Sequence, residues 1–257
     1  MAEERIQKIL SKAGLGARRK CEALITEGRV TVNGVTVSAL GSKADPETEE
    51  IAVDGKRVKT VSSNARHIIM FNKPEKCITS ASDSRGRPLV MDYFKDYPVR
   101  LFPVGRLDFD TEGLLLLTND GNYAQEITHP KHKVFKTYEA VVAGIPSEET
   151  LEKLRVGIML EDGPTAPAIV RSTGITRDRQ RTTRRRDKPL PEVDAAVIHI
   201  SIREGRKRQV RRMFLAVGHR VIRLRRIAIG KLKLGELKIG KWKVLTEREA
   251  ELAKQTD

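Results

Sequence analysis

Gly105-Arg-Leu-Asp-Phe-Asp-Thr-Glu-Gly-Leu-Leu-Leu-Leu-Thr-Asn-Asp-Gly121 sets three carboxylates, Asp108, Asp110 and Glu112, between a glycine turn and four consecutive leucines. A short apolar run bounded by turn formers reads as a buried strand. A carboxylate held at the edge of such a strand is partly desolvated, and that is where nucleophiles and general bases are found. Spacing alone also allows an ordinary solvated acidic loop. One catalytic pattern is excluded. Phosphatases with an aspartyl nucleophile use Asp-x-Asp-x-Thr, whereas here Glu112 stands four residues after Asp108 and Thr111 comes one residue early.

Working outward, the chain from Arg66 onward reads as a larger α+β domain. Ile68 to Phe71 is a short buried strand that stops at Asn72-Lys73-Pro74, and Val134 to Val142 is a longer one. Ser147 caps a helix with Glu148 and Glu149 in its first turn, where the helix dipole favours acid. Ile198, Ile200 and Ile202 alternate with polar residues as a half-buried strand. Val210, Met213, Phe214 and Val217 mark a helix face closed by Gly218, and Thr246 with Glu249 forms a capping box for a last short helix. Strands mixed with helices, without regular βαβ alternation, predict an antiparallel or mixed sheet. The basic, aperiodic stretch from Arg177 to Pro191 predicts a mobile loop.

Upstream lies a compact module. Ile6, Ile9, Leu10 and Ala13 repeat at helical spacing. A second helix opens with Arg18, Arg19 and Lys20 and buries Cys21, Leu24 and Ile25. Cations at a helix N-terminus oppose its dipole, so local stability does not explain them, and phosphate contact does. Asn33-Gly34 joins Val30 and Val32 to Val35 and Val37 as a type I′ hairpin, and Asp54-Gly55 forms a second turn. The polar stretch Thr60 to Asn64 predicts a linker, giving domains of residues 1–62 and 66–257.

The 257 residues carry 49 Lys plus Arg against 34 Asp plus Glu, a formal charge of +15, which suits a phosphate-bearing partner. The excess is local: residues 171–226 hold 18 basic and 5 acidic side chains, residues 1–62 only 11 and 9. With 39% hydrophobic residues the chain can bury a core. Aromatic residues are 4%, so no extended stacking platform for single strands is expected. The densest apolar run, Leu114 to Leu117, is far short of a membrane helix, and the acidic start is no signal peptide. Cys21 and Cys77 have neither disulfide-framework nor metal-ligand spacing, and His129 and His132 read as loop residues. A cytoplasmic, membrane-free location, no metal and a monomer are expected.

The helix-helix-hairpin order with Arg18-Arg19-Lys20 resembles the S-four-type RNA-binding domain, although Ala17 stands where related sequences often have a capping Ser. Gly105-Arg106-Leu107-Asp108 with Thr111, Gly113-Leu114 and Thr118-Asn119-Asp120-Gly121 resembles the signature loop of pseudouridine synthases. The branch it resembles is RsuA/RluB, which carries an S-four-type domain in front. Asn72-Lys73-Pro74, Lys136-Thr137-Tyr138 and the stretch Glu204 to Met213 followed by Gly218-His219 match three further motifs of that family, in the same order. The resemblance runs from about Glu4 to about Leu252, and the pattern looks closest to the enzymes of large-subunit rRNA.

The resemblance implies a front RNA-binding domain followed by a catalytic domain with a mixed, mainly antiparallel sheet, working without cofactor. Asp108 would be the essential aspartate, acting as nucleophile at sugar or base, or as the base that starts a glycal route. Tyr138 would pack against the target base and assist proton removal from it. Arg211 would pair with Asp108 and keep it ionised. Arg106 would fill the space vacated by the flipped nucleotide or hold it, unless it is tied up in a salt bridge to Asp110 or Glu112. Leu224 would line the pocket. Arg18, Arg19, Lys20, Lys207, Arg208 and Arg212 would meet rRNA phosphates, the rRNA being free or in an assembling subunit. From another class, a non-catalytic rRNA-binding assembly factor with the same fold would also need the basic face. It would have no use for a half-buried acid near phosphates.

Overall fold

A computed structural model describes residues 3–58, 65–80, 83, 85–179 and 192–256. The chain divides into two compact units, one of Met1–Arg66 with Pro98–Arg100, the other of His67–Tyr97 with Leu101–Asp257. The stretch Thr60 to Asn64, expected to be a linker, lies outside the described residues.

The first unit comprises β1 (Glu4–Arg5), α1 (Ile6–Lys12), α2 (Arg18–Thr26), β2 (Val30–Val32), β3 (Val35–Val37), β4 (Lys43–Ala44), β5 (Ile51–Val53) and β6 (Lys56–Arg57). Its sheet runs β3-β2-β5-β6 with antiparallel neighbours, and β1 pairs β4. Asn33 and Gly34 both take positive φ, 49° and 80°, as a type I′ turn requires. Ile6, Ile9, Leu10, Cys21, Leu24 and Ile25 pack on Val30, Ile51 and Val53 as one core. Ala17 at the start of α2 gives no side-chain cap.

The second unit holds β7 (Ile68–Lys73), β8 (Phe102–Val104), β9 (Glu112–Thr118), α3 (Gly121–Thr128), β10 (Lys136–Ala143) and α4 (Glu148–Val156). There follow β11 (Met159–Leu160), β12 (Gly163–Pro164), β13 (Ile169–Arg179), β14 (Glu192–Ile202), α5 (Gln209–Ala216), β15 (Val221–Ile229), β16 (Leu232–Lys233), β17 (Trp242–Val244) and α6 (Glu247–Leu252). The large sheet runs β13-β14-β10-β15-β9-β7-β17, with β8 also on β9 and β16 also on β15. All of its pairings are antiparallel except β15 with β9, so the sheet is mixed and mainly antiparallel.

β9 is buried along Gly113–Thr118, which is why its sequence is continuously apolar rather than alternating. Leu114 and Leu116 join Ile68, Met70, Tyr123, Ile127 and Ala250 in one core. A second core gathers Ala140, Val142, Ile198, Ile200 and Leu224 under Leu151 and Leu154 of α4 and Val210, Met213 and Phe214 of α5. The Ser147 cap and the Thr246–Glu249 capping box both form.

Two expectations are corrected, and one helix is new. β7 does not stop before Asn72 and Lys73 but includes both, fully buried. Residues 177–179, expected in a loop, continue β13 because they pair with β14 at Arg177↔Asp194 and Asp178↔Val193. Residues 180–191, the rest of that loop, lie outside the described residues. α3 was not anticipated: Asp120 accepts hydrogen bonds from the Asn122 and Tyr123 amides and starts the helix.

Candidate active site

The loop 105–111 leaves β8 and enters β9, and it is fastened by its backbone. Five successive carbonyls accept hydrogen bonds. Thr79 Oγ1 donates to Leu107 O at 3.0 Å, Lys73 Nζ to Asp108 O at 3.1 Å, and the Lys76 amide to Phe109 O at 2.7 Å. Arg211 Nη2 donates to Asp110 O at 2.6 Å, and Lys73 Nζ to Thr111 O at 2.9 Å. The Lys73 ammonium, fully buried, gives its third bond to Pro74 O at 2.9 Å. Burial pushes this ammonium down to about 8, against the pull of nearby Glu75, Asp108 and Asp110.

Gly113 fixes where the loop ends. Its φ is +107°, and a Cβ there would sit 2.3 Å from Arg226 O and 2.7 Å from Arg226 N. Only glycine lets β15 approach β9 this closely. Arg226 is itself buried and donates through Nε to Leu114 O at 2.7 Å.

Asp108 is half-buried on this rigid loop, and its carboxylate takes no hydrogen bond or ion pair from the described residues. The charges of Lys73, Arg208 and Arg211 all act on it. The expected pair between Arg211 and Asp108 is not formed. Arg211 instead lies 3.3 Å from Asp110 Oδ2, holds the Asp110 carbonyl, and donates to Val221 O at 3.1 Å. The guanidinium is consumed by two carbonyls and the neighbouring carboxylate, so it fixes the loop instead of neutralising Asp108.

Arg208 was expected to face phosphates, but it grips Asp110 with two parallel bonds of 2.7 and 2.8 Å. Its backbone sits in the left-handed region, φ +52°, at the start of α5. That conformation is uncommon for a residue with a Cβ, and the two-pronged ion pair helps hold it. Burial pushes the Asp110 carboxyl up, but the Arg208 hydrogen bonds and the charges of Arg211 and Arg208 outweigh this and hold it below its ordinary value. Arg212 is likewise engaged, with Asp162 at 2.9 Å through both nitrogens.

Arg106 is exposed and has no hydrogen bond or ion pair among the described residues, so the salt bridge to Asp110 or Glu112 is absent there. Tyr138 is half-buried, its ring against the core under α5, and its hydroxyl has no protein partner among the described residues. Register places Tyr138 opposite Arg226, and Arg226 opposite Gly113. Leu224 is a core residue, buried in the same cluster that Tyr138 packs on. Lys207 is exposed without an ion pair among the described residues, as are Arg18, Arg19 and Lys20 on α2 in the first unit.

Sequence reasoning gave no task to Lys73 or Thr79, and did not see that Asp110 would take both Arg208 and Arg211. The signal for Lys73 was present: a lysine closing a strand that is otherwise apolar must find acceptors inside the protein. Thr79 carried no such signal.

The sequence and the fold both have counterparts among known proteins. Residues 67–216 match the family model for RNA pseudouridylate synthase, and residues 4–49 match that for the S4 domain. The chain belongs to the RNA pseudouridylate synthase family, with an S4 domain in front, and is an RNA pseudouridine synthase. The ribosomal large subunit pseudouridine synthase B of Bacillus subtilis is 45% identical over 223 residues, 87% of this chain and 84% of that protein. An uncharacterized RNA pseudouridine synthase of Aquifex aeolicus is 46% identical over 250 residues, 97% of this chain and 93% of that protein. A crystal structure of pseudouridylate synthase superposes with a TM-score of 0.63 at 32% identity, covering 97% of this chain and 99% of that one. No helix among the described residues is long and apolar enough to cross a membrane.

Proposed function

We propose that this synthase converts a uridine of large-subunit ribosomal RNA, free or in an assembling subunit, to pseudouridine, with Asp108 as the catalytic group and no cofactor. The observation that carries the reading is the loop itself: five carbonyl bonds hold its backbone while the Asp108 oxygens stay unpartnered. The large-subunit substrate is supported by the name of the Bacillus subtilis relative.

The reaction breaks the N1–C1′ bond, turns the base and joins C5 to C1′. The C5 proton is lost and N1 ends protonated, so substrate and product contain the same atoms and no oxidant or group donor is required. An ionised carboxylate serves either as the nucleophile on sugar or base, or as the base that opens a glycal route. Tyr138 stacks on the turning base and assists loss of the C5 proton. The uridine must leave its stack, at a cost of a few kcal/mol that is smaller in loops and bulges. Exposed Arg106 occupies the gap or holds the flipped nucleotide. Residues 66–257 form the catalytic domain, and residues 1–62 dock on structured rRNA through Arg18, Arg19 and Lys20.

The test is a chemical map of pseudouridine across rRNA from cells lacking the gene, with and without the wild-type gene restored. Loss of a large-subunit signal that returns with the gene is the expected result. An unchanged map, together with purified protein inactive on that rRNA, would overturn the substrate assignment.

A further inference from the structure

The edge strand β17 is exposed at all three residues. Trp242, the single tryptophan of the chain, is 40% exposed, and Tyr93 on the turn Val90–Phe94 is 41% exposed. Both rings rest on a buried aromatic floor. Tyr93 lies 4.9 Å from Phe71 and Trp242 lies 5.7 Å from Phe94, between ring centroids, while Phe71 and Phe94 are 5.4 Å apart. Tyr93 also sits over Gly240, where a Cβ would be 3.7 Å from its ring.

Lysines are dense in the sequence leading up to Trp242. Residues 231–243 hold five lysines and one acid, Glu236. Lys243 is paired with Glu249. Lys238 and Lys241, on either side of Ile239-Gly240, are exposed, and their side chains make no hydrogen bond or ion pair among the described residues. Partly exposed rings beside unpaired ammonium groups match unpaired nucleotides, whose bases stack on any aromatic and whose phosphates attract cations. Lysine along a sheet edge also discourages pairing with another protein strand.

The position of this face is tied to the catalytic loop. Asn72, fully buried, donates through Nδ2 to Leu237 O at 2.6 Å and through its amide to Lys241 O at 3.0 Å, and its carbonyl accepts from the Gly240 amide at 2.8 Å. The next residue, Lys73, holds the carbonyls of Asp108 and Thr111. Two adjacent residues of β7 therefore anchor the lysine-bearing turn and the catalytic loop, which leaves little freedom between them.

We infer that Tyr93, Trp242, Lys238 and Lys241 form a second RNA-contacting face that holds an unpaired stretch of the same RNA whose uridine reaches Asp108. The inference rests on the proposed rRNA substrate. Two rings accommodate one or two bases, which is compatible with the low aromatic content of the chain.

The lone tryptophan makes the test direct. The full chain is titrated with a large-subunit rRNA fragment that contains an unpaired segment, while Trp242 emission and RNA anisotropy are followed together. Stacking quenches the emission, and Tyr93→Ala weakens binding roughly tenfold. The double variant Lys238→Glu/Lys241→Glu, altered only at exposed unpaired side chains, lowers the slope of log K against log salt by about two. A wild-type slope in the double variant overturns the proposal whatever the emission does, and leaves a protein as the occupant of this face. Pseudouridine formed by wild type in the same samples is scored separately, so failure of the substrate assignment is distinguishable from failure of this face.

Discussion

Replacing Lys73 with methionine keeps the length and apolar stem of the side chain and removes its three N–H donors. Two opposing changes in stability follow. At neutral pH the buried ammonium is disfavoured, since its pKa is held at about 8 against an ordinary 10.5, a cost of roughly 3 kcal/mol that methionine abolishes. Against this, the carbonyls of Pro74 and Thr111 lose their lysine donor, at about 1–3 kcal/mol each. The Asp108 carbonyl keeps the Thr111 amide at 3.1 Å. The two effects largely cancel, and net destabilisation is at most about 3 kcal/mol. Turnover has no such compensation. A loop released from two of its five fastenings shifts, and a displacement of about 1 Å at a catalytic group costs on the order of a hundredfold. The account therefore expects a folded Lys73→Met protein with near wild-type RNA affinity and turnover down about a hundredfold. Urea unfolding and single-turnover pseudouridine formation at saturating RNA measure the two quantities. Turnover within threefold of wild type in the folded variant would refute the reasoning.

Lys73 also predicts a pH signature. Between about 8 and its ordinary 10.5 the unfolded chain binds the proton that the folded chain has released, so its contribution to stability rises with pH, and Lys136, likewise lowered to about 8 by burial, acts in the same direction. A neutral amine has two N–H groups for three carbonyls, so turnover falls as pH passes 8. Melting temperature and rate measured from pH 7.5 to 9.5 should diverge, and a parallel rise would contradict the role given to Lys73. Gly113→Ala brings a Cβ against unyielding Arg226 backbone and should lower stability by about 3 kcal/mol or more. A loss below 1 kcal/mol by denaturant unfolding would mean that β9 and β15 can separate. Changing Arg18, Arg19 and Lys20 together to alanine should reduce the salt slope of RNA binding by two to three. An unchanged slope would remove the start of α2 from the RNA interface.

Much of this was legible in the sequence because it is local. Helical spacing, Asn33-Gly34, the Ser147 cap and the Thr246–Glu249 box are decided within a few residues, and all form as read. The Asp108 loop stood out in the sequence through its resemblance to the signature loop of pseudouridine synthases, since spacing alone also allows a solvated acidic loop. Its wiring did not. Arg208, Arg211 and Thr79 come from distant parts of the chain, and spacing does not say which of Asp108 and Asp110 receives the arginines. The Arg211 side chain does turn inward, 12% exposed, but it meets Asp110 rather than Asp108. The exposed face around Trp242 escaped notice because its two rings, Tyr93 and Trp242, are 149 residues apart in sequence and come together only through β7 and the turn before β17.

The most direct test of the central claim is Asp108→Asn in the purified full chain, with RNA affinity and pseudouridine formation measured on the same rRNA. The substitution keeps the size of the side chain and removes its charge without disturbing any carbonyl fastening of the loop. The account predicts no turnover with RNA affinity within a few-fold of wild type. Conversion at the wild-type rate would contradict it, because the unpartnered carboxylate would then have no part in the chemistry.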